Sequence, residues 1–277
     1  MKLNSKLYDL FSGHAQKVTI KRLNIGIGYT VVETSSGGMG LSYTYFESKK
    51  SCQLTHSYKN YEGWPASELL GKLESKNTIE KSMAIALVNA LNYEQALLLP
   101  EDRKNQALFE KIDIHEGSKV AMVGYFGPLM KIFKQKGAKL EVIDEFKGIG
   151  IKKVFYKKIE NWADALFLTS TSILNNTTEE ILSYASNKVK TVMLGPTTPM
   201  VGEAFDHLPV KMLAGTVPIE KENVLKAVVH GAGTPVIQKF SRKSLLLLSK
   251  LESLVKSNVD GKVVRRGPYT PAKKQRD

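Results

Sequence analysis

Residues 164–199 read DALFLTSTSILNNTTEEILSYASNKVKTVMLGPTTP, and the fold prediction starts from this stretch. Two short apolar runs, 165–168 and 191–194, predict buried strands, and the residues between them have helical spacing. A strand, a helix and a second strand in this order are typical of an open α/β sheet. We therefore expect the two strands to be neighbours, with their carboxyl ends close together.

Polar and turn-forming residues follow both predicted strands. They are Thr169, Ser170, Thr171 and Asn175 after the first strand, and Gly195, Pro196, Thr197 and Thr198 after the second. Ligands of open α/β sheets bind outside the carboxyl ends of the strands, so these residues are candidates for ligand binding. The alternative is that they only cap helices and turn the chain.

A glycine-containing loop precedes the central stretch. Residues 120–124 read as a buried strand, and Tyr125, Phe126 and Gly127 then lead into a helix. Pro128 suits the first helical turn, which leaves nearby backbone amides free to hold an anion or carboxylate. We therefore add Gly124, Tyr125, Phe126 and Gly127 to the candidate ligand-binding residues.

The next predicted strand, 140–144, completes the opening of a Rossmann-like unit. Gly124 and Gly127 lack the further glycine that the GxGxxG fingerprint requires, so an NAD(P) cofactor is disfavoured. Glu145 follows this strand, and we predict that it acts as an acid, a base or a metal ligand. The alternative for Glu145 is a solvated carboxylate at the end of a strand.

Strands and helices alternate over residues 105–258, which predicts a doubly wound, mostly parallel sheet of five strands. Its later elements are a strand at 210–214, a helix at 221–229 and a final amphipathic helix at 240–256. Residues 259–277 show no periodicity and are predicted to be a flexible basic tail.

Residues 1–104 have a different character, with a short helix, strands and then two helical segments within 67–99. The switch to strand–helix alternation falls in the polar segment 100–117, so we place a domain boundary after residue 104. Asn89 and Asn92 project from nearly the same helix face. We expect these two amides, and the turn that contains Gly38, to face the strand ends of the second domain. The alternative is a pair of exposed or hydrogen-bonded amides and a flexible hairpin turn with no role in binding.

Four pieces of the sequence resemble the putative heavy-metal chelation family, long described as a domain of unknown function. They are KVAMVGYFGPL from residue 119, ADALFLTSTSILNNTTEEIL from residue 163, TVMLGPTTP from residue 191 and KMLAGTV from residue 211. The resemblance implies a smaller α+β domain like the enolase N-terminal domain, followed by a Rossmann-like domain. It also implies a site in the cleft between the two domains.

The composition limits the classes of function. The formal net charge is +13, but the basic excess is spread along the chain and no nucleic-acid-binding motif is present, so nucleic acid is not the expected partner. No stretch approaches the roughly 20 apolar residues of a membrane span, and residues 1–10 lack the apolar core of a signal peptide. We therefore expect a cytoplasmic protein that does not bind membranes.

The potential metal ligands are few and scattered. Cys52 is the only cysteine, and the five histidines form no HxxxH or HExxH motif, so a tight zinc site is not predicted. A bound metal would have oxygen ligands, which favour hard cations, or would be held by an organic chelator. The identity of any metal or cofactor stays open.

The resemblance implies a role in heavy-metal homeostasis, and together with the polar strand ends it predicts a protein that binds a small polar or anionic molecule or a metal chelate, with enzymatic activity left open. The alternative is a non-enzymatic binding or scaffold protein whose basic surface contacts an acidic partner or nucleic acid. Within the predicted second domain, the local excess of lysine lies at 147–158. A homo-oligomer is compatible with either function.

Overall fold

The computed structural model of the protein describes residues 2–46 and 59–248. The predicted tail at 259–277 and the second half of the predicted final helix lie outside these ranges. No helix in the described ranges has the length and apolar character needed to cross a membrane.

The first part of the chain forms a small antiparallel sheet covered by helices. Its elements are α1 Leu3–Ala15, β1 Ile20–Ile25, β2 Tyr29–Thr34, β3 Met39–Tyr43, α2 Ala66–Leu70, α3 Thr78–Leu91 and α4 Tyr93–Leu97. β2 is the central strand and pairs antiparallel with β1 and β3. β1 and β2 therefore form a hairpin, and the backbone amide of Gly26 donates to the carbonyl of Tyr29 at 2.9 Å to close it.

Helix α3 packs directly on this sheet. Its N-cap, Asn77, accepts hydrogen bonds from the amides of Ile79 and Glu80 at 2.9 and 3.4 Å. A Cβ atom on Gly38 would lie 2.1 Å from the carbonyl oxygen of Ala90, and one on Gly40 would also collide with the backbone of α3. These glycines are thus required by the close approach of helix and sheet.

The second part of the chain forms a six-stranded sheet. Its elements are α5 Gln106–Ile112, β4 Lys119–Val123, α6 Gly127–Gln135, β5 Lys139–Ile143, α7 Lys152–Asn161, β6 Ala165–Thr169, α8 Thr178–Ser183, β7 Lys190–Leu194, β8 Met212–Pro218, α9 Lys221–Val229, α10 Thr234–Ile237 and β9 Ser241–Leu247. The strand order is β5-β4-β6-β7-β8-β9, and the strands β4 to β8 are parallel.

The predicted helix at 240–256 is wrong over its described part. Residues 241–247 instead form β9, which pairs antiparallel with β8 from Met212↔Leu247 to Pro218↔Ser241. The leucine run 245–248 satisfies a helical and an extended pattern equally, and the free edge of β8 provides backbone partners that the prediction did not consider. The same pairing extends β8 to Pro218, beyond the predicted end at Ala214.

The strand order reverses at β4, because β5 lies on one side of it and β6 on the other. Val123 is paired with Leu168, so the loops that begin at Gly124 and Thr169 leave the sheet side by side. Such a reversal opens a crevice at the carboxyl ends of the two strands, where ligands of open α/β sheets bind.

The two sheets share no strand among the described residues, since the first ends at Tyr43 and the second begins at Lys119. One apolar cluster nevertheless contains residues of both parts, including Leu7 and Leu87 with Leu166 and Phe205. The boundary placed after residue 104 therefore stays a prediction. The packing brings β3 next to β8, and with it the crevice.

Candidate functional site

Two adjoining cavities lie at the carboxyl ends of β4 and β6. The first, here called the β9 cavity, has a volume of about 460 Å³ and extends to Lys243 on β9. The second, the β5 cavity, has a volume of about 540 Å³ and extends past the end of β5. They share the lining residues Tyr43, Tyr125, Phe126, Thr169 and Thr171. Together they have the size of a pocket for a small organic molecule.

Most of the predicted site residues line these cavities. Those of the β9 cavity are Tyr125, Phe126, Gly127, Thr169, Ser170, Thr171, Gly195, Pro196 and Thr197. Those of the β5 cavity are Gly124, Tyr125, Phe126, Glu145, Thr169, Thr171 and Asn175. The structure thus brings the loops after β4, β5, β6 and β7 together, while their role in binding stays a prediction.

Four predicted residues lie away from the two cavities. The side-chain amide of Asn89 donates to the backbone carbonyl of Leu41 at 2.8 Å, and the side-chain amide of Asn92 donates to the backbone carbonyl of Met200 at 2.9 Å. Thr198 lies beside both amides around a small void of about 10 Å³, and Gly38 is packed under α3. The Asn89 side chain also donates to the carbonyl of Thr197 at 3.4 Å. Asn89 therefore fastens α3 to β3 and to the loop after β7, and Asn92 fastens the end of α3 to the same loop.

The loop between β4 and α6 lines both cavities and leads into a helix start without a side-chain cap. Phe126 is the N-cap of α6 and provides no side-chain cap, Pro128 lies in the first turn, and no acidic residue is found there. Asp144 holds the preceding part of the loop, because its carboxylate accepts from the amides of Tyr125 and Lys147 at 2.8 and 3.0 Å. An uncapped helix start of this kind favours a negatively charged group.

The loop after β6 adds hydroxyl groups. The Thr169 and Thr171 hydroxyls are hydrogen-bonded to each other at 2.9 Å, and Thr169 also caps the short 3-10 turn Ser170–Ile173. The hydroxyl of Ser170 is buried, with 1% of the residue exposed, and has no hydrogen-bond partner within 2–46 and 59–248. A buried hydroxyl usually has such a partner, so Ser170 has capacity left for a ligand.

Aromatic rings form much of the wall of the β5 cavity. They belong to Tyr43, Tyr45, Tyr125, Phe126, Phe146 and Tyr156. Tyr43 and Tyr45 meet edge to face with ring centroids 6.4 Å apart, and Tyr45 meets Phe146 in the same way at 5.3 Å. Phe146 is 63% exposed, so this apolar ring lies in contact with solvent at the edge of the cavity.

Two tyrosines of this wall, Tyr43 and Tyr156, keep their phenol protons at physiological pH. Burial raises the pKa of Tyr43, and the nearby Asp144 carboxylate raises it further. Burial also raises the pKa of Tyr156. The side-chain amide of Asn175, a predicted ligand-binding residue, donates to the Tyr45 hydroxyl at 3.3 Å and so orients a ring of the wall. These phenols can donate hydrogen bonds without adding charge.

Glu145 lies exposed at the rim of the β5 cavity, in the 3-10 turn Glu145–Lys147. The ammonium of Lys147 lies 5.0 Å from the centroid of the Tyr125 ring, so this rim carries both signs of charge. Asp144 is the more enclosed carboxylate, but its oxygens are already engaged by the two backbone amides. The role of Glu145 as acid, base or metal ligand stays a prediction.

Several lining residues were missed by the sequence analysis. Tyr29 and Tyr43 enter from the first sheet, and Lys243 and Ser244 enter from β9. Burial lowers the pKa of Lys243, and the carboxylate of Asp102 opposes this effect. The alternation of residues 39–46 was a signal for Tyr43. Nothing in the local sequence marked Lys243, because its place depends on the pairing of β9 with β8.

These residues fit a directly bound heavy metal poorly. Within the described ranges no three His, Cys, Asp or Glu side chains form a group that could hold a metal ion, and Cys52 lies outside those ranges. The cavities offer hydroxyls, phenols, amides, two lysines and the carboxylates of Asp102, Asp144 and Glu145, whereas soft metals select thiolate and imidazole. The donor set suits the organic part of a metal chelate better than a bare ion.

Two family models match the chain, and both carry the description "Putative heavy-metal chelation". One matches residues 8–92 and the other residues 107–247. An uncharacterized protein of Methanocaldococcus jannaschii is 20% identical over 256 residues, which cover 87% of this chain and 95% of that protein.

Two solved structures of proteins of unknown function from the DUF364 family have the same fold. The Pyrococcus horikoshii protein has a TM-score of 0.72 and 21% identity, covering 89% of this chain and all of its own. The Desulfitobacterium hafniense protein has a TM-score of 0.69 and 18% identity, covering 88% and 99%. The predicted fold, a mostly parallel Rossmann-like sheet with a smaller α+β part, is confirmed.

Proposed function

Because this chain belongs to the putative heavy-metal chelation family, we propose that it binds a small organic molecule whose own atoms coordinate the metal. The ligand lies in the joined β5 and β9 cavities, between the first sheet and the strand ends of the second. One observation supports this most: the two cavities meet at the reversal of strand order, where open α/β sheets bind ligands.

The walls of the cavities indicate which molecule would fit. The edge-to-face rings of Tyr43, Tyr45 and Phe146 provide an apolar surface against which a flat, conjugated part of a ligand can pack. The hydroxyls of Thr169, Thr171 and Ser170 and the uncapped start of α6 provide orientation on the other side. A molecule with one flat apolar part and one polar, acidic part satisfies both walls.

The donor set explains how such a protein can serve metal homeostasis without ligating the ion. A chelator saturates the metal with its own oxygen, nitrogen or sulfur atoms, so the protein needs only to recognise the chelator. This requirement agrees with the hydroxyl and amide groups present, which are weak metal ligands but good hydrogen-bond partners.

The alternative, a scaffold whose basic surface binds an acidic partner, is less well supported. Two lysines of the 147–158 run are already engaged, since Lys152 pairs with Glu180 at 2.9 Å and Lys158 pairs with Glu141. These ion pairs reduce the positive charge available there to a partner.

The test is native purification of the untagged full-length protein, with mass spectrometry of small molecules and elemental analysis on the same fractions. We expect a metal and an organic molecule to elute together and to be released together on denaturation. Thr169→Val should lower their occupancy, because it removes a hydroxyl from the wall shared by both cavities. Glu145→Gln should lower it as well if this carboxylate contacts the ligand.

Thr191→Val is the matched control, because Thr191 is buried in β7 and lines neither cavity. Two outcomes contradict the proposal. One is a metal bound in stoichiometric amount with no organic molecule present. The other is equal occupancy in Thr169→Val and Thr191→Val while both variants keep their fold.

A further inference from the structure

Lys243 enters the β9 cavity from the antiparallel edge of the second sheet. It is paired with Thr216 of β8, and both residues line the cavity. Its carbonyl accepts from the amide of Asp102 at 2.9 Å, so the backbone at this position is fixed to the segment before α5. The side chain is partly buried. The fold thus holds an ammonium group at the end of the cavity that is farthest along the sheet from β5.

This ammonium has no hydrogen-bond or ion-pair partner among residues 2–46 and 59–248. Asp102 is the nearby carboxylate, but its two oxygens accept from the amides of Ala107 and Leu108 at 3.1 and 2.8 Å. Asp102 therefore serves as the cap of α5 and does not pair with Lys243. A cation that is partly withdrawn from water without a partner raises the free energy of the folded protein.

Ser170 adds an unpaired hydroxyl to the lining of this cavity. The residue is 1% exposed, and its hydroxyl has no partner in the part of the chain that the structure describes. Ser244 also has an unpaired hydroxyl, but it follows Lys243 on β9, and successive side chains of a strand point to opposite faces of the sheet. The donors on the cavity side are therefore the Lys243 ammonium, the Ser170 hydroxyl and the uncapped start of α6.

We propose that Lys243 is the centre of an oxyanion subsite in the β9 cavity, where it binds a carboxylate or phosphate group of the ligand with help from the Ser170 hydroxyl. The proposal deepens the proposed function, since the oxyanion belongs to the same molecule whose flat part packs in the β5 cavity. The bound oxyanion then provides the partner that this partly buried cation lacks in the ligand-free protein.

The electrostatics of the free protein agree with this geometry. Burial lowers the pKa of Lys243 despite the opposing carboxylate of Asp102, so the cation is not compensated. A bound oxyanion would favour the charged form and raise that pKa again.

The test uses inorganic phosphate and malonate as separate probes, each titrated into the full-length protein at constant ionic strength set with NaCl. The constant ionic strength matters because a protein of net charge +13 attracts any anion. Malonate and phosphate distinguish a carboxylate subsite from a phosphate subsite. We expect at least one of them to bind the wild type.

The diagnostic variants are Lys243→Met and Lys243→Arg, with Lys239→Met as the control. Lys239 is exposed and lines neither cavity, so Lys239→Met makes the same change in net charge away from the site. Lys243→Met should weaken binding by about tenfold or more, the usual effect of losing a charge-assisted hydrogen bond. Lys239→Met should bind like the wild type, and Lys243→Arg should recover part of the affinity.

Two results would overturn the subsite: neither probe binds the wild type beyond the NaCl control, or Lys243→Met and Lys239→Met bind equally. If Lys243→Met does not fold, Lys243→Arg and Lys243→Gln give the same comparison with and without the charge. These results are independent of the co-purification experiment. A protein that binds phosphate through Lys243 but carries no organic molecule would retain the subsite and lose the proposed function.

Discussion

Gly124 and Thr169 lie against each other at the reversal of strand order, where a Cβ atom added to Gly124 would be 3.0 Å from the Cβ atom of Thr169. Gly124 also has a φ of +90°, a conformation that other residues rarely adopt. Contact and conformation both require glycine, so this pair fixes the distance between the two loops that form the cavities.

Gly124→Ala should therefore lower the free energy of unfolding by more than a positive φ alone explains. Gly37→Ala is the matched control, because Gly37 has a φ of +88° but open space around its Cβ position. We expect a loss of about 1–2 kcal/mol in the control and about 1 kcal/mol or more beyond that in Gly124→Ala. Urea unfolding of both variants measures the difference, and equal losses would show that the contact with Thr169 is relaxed at little cost.

Ser170→Ala should leave the free energy of unfolding unchanged or raise it slightly, because its buried hydroxyl has no partner among the described residues. Ser172→Ala is the comparison, since Ser172 is equally buried but is hydrogen-bonded to the Thr178 hydroxyl at 2.8 Å. Its loss leaves a buried hydroxyl unsatisfied and should cost about 1–3 kcal/mol. A destabilisation of the same size in both variants would mean that Ser170 has a structural role and no capacity reserved for a ligand.

Lys243→Met should be more stable than the wild type near neutral pH in the ligand-free protein. The folded-state pKa of Lys243 is lowered by burial, so the unfolded chain binds this proton more tightly and protonation destabilises the fold. The penalty is fully present below the folded-state pKa and is relieved as pH rises from that value towards the ordinary lysine pKa. The advantage of Lys243→Met over Lys239→Met should therefore shrink over this alkaline range. Chemical unfolding at a series of pH values tests the trend, and a constant difference would contradict it.

Glu33→Gln should lose stability at neutral pH but not in strong acid. Burial alone would raise the pKa of Glu33, but hydrogen bonds from Lys21 and Arg22, at 2.9 and 2.6 Å, outweigh burial and lower it. A lowered carboxyl pKa stabilises the fold above the ordinary value of about 4.3, and this stability is lost as pH falls through the folded-state pKa.

The control for Glu33→Gln is Glu68→Gln, which removes an exposed ion pair with Lys59 at 3.1 Å. Exposed pairs contribute about 0–1 kcal/mol, so this control should change little at either pH. We expect the difference between the two variants to be present at neutral pH and to disappear in acid. A difference that persists in acid would assign the effect to packing of the Glu33 side chain.

The strands and the loops after them were predictable because their signals are local. The apolar runs at 165–168 and 191–194 lie within β6 and β7, and the helix predicted at 221–229 is α9. Parallel strands bring their carboxyl ends to one edge, so the polar residues after them had to come near each other. Asn89 and Asn92 showed the limit of this reasoning, since helical spacing predicted their shared face but not the carbonyls that both amides bind.

The amino-acid sequence thus contained the alternation of elements, the polar loops at the strand ends and the absence of a strong metal-binding motif, because each depends on residues that are near one another in the chain. The strand β9 and the position of Lys243 depend on pairing with residues 212–218. The backbone hydrogen bonds of this pairing favour an extended conformation over the helix that the leucine run also allows. The tyrosine wall depends on the packing of the first sheet against β8. Contacts between distant segments place these groups, and no local pattern of apolar and polar residues records them.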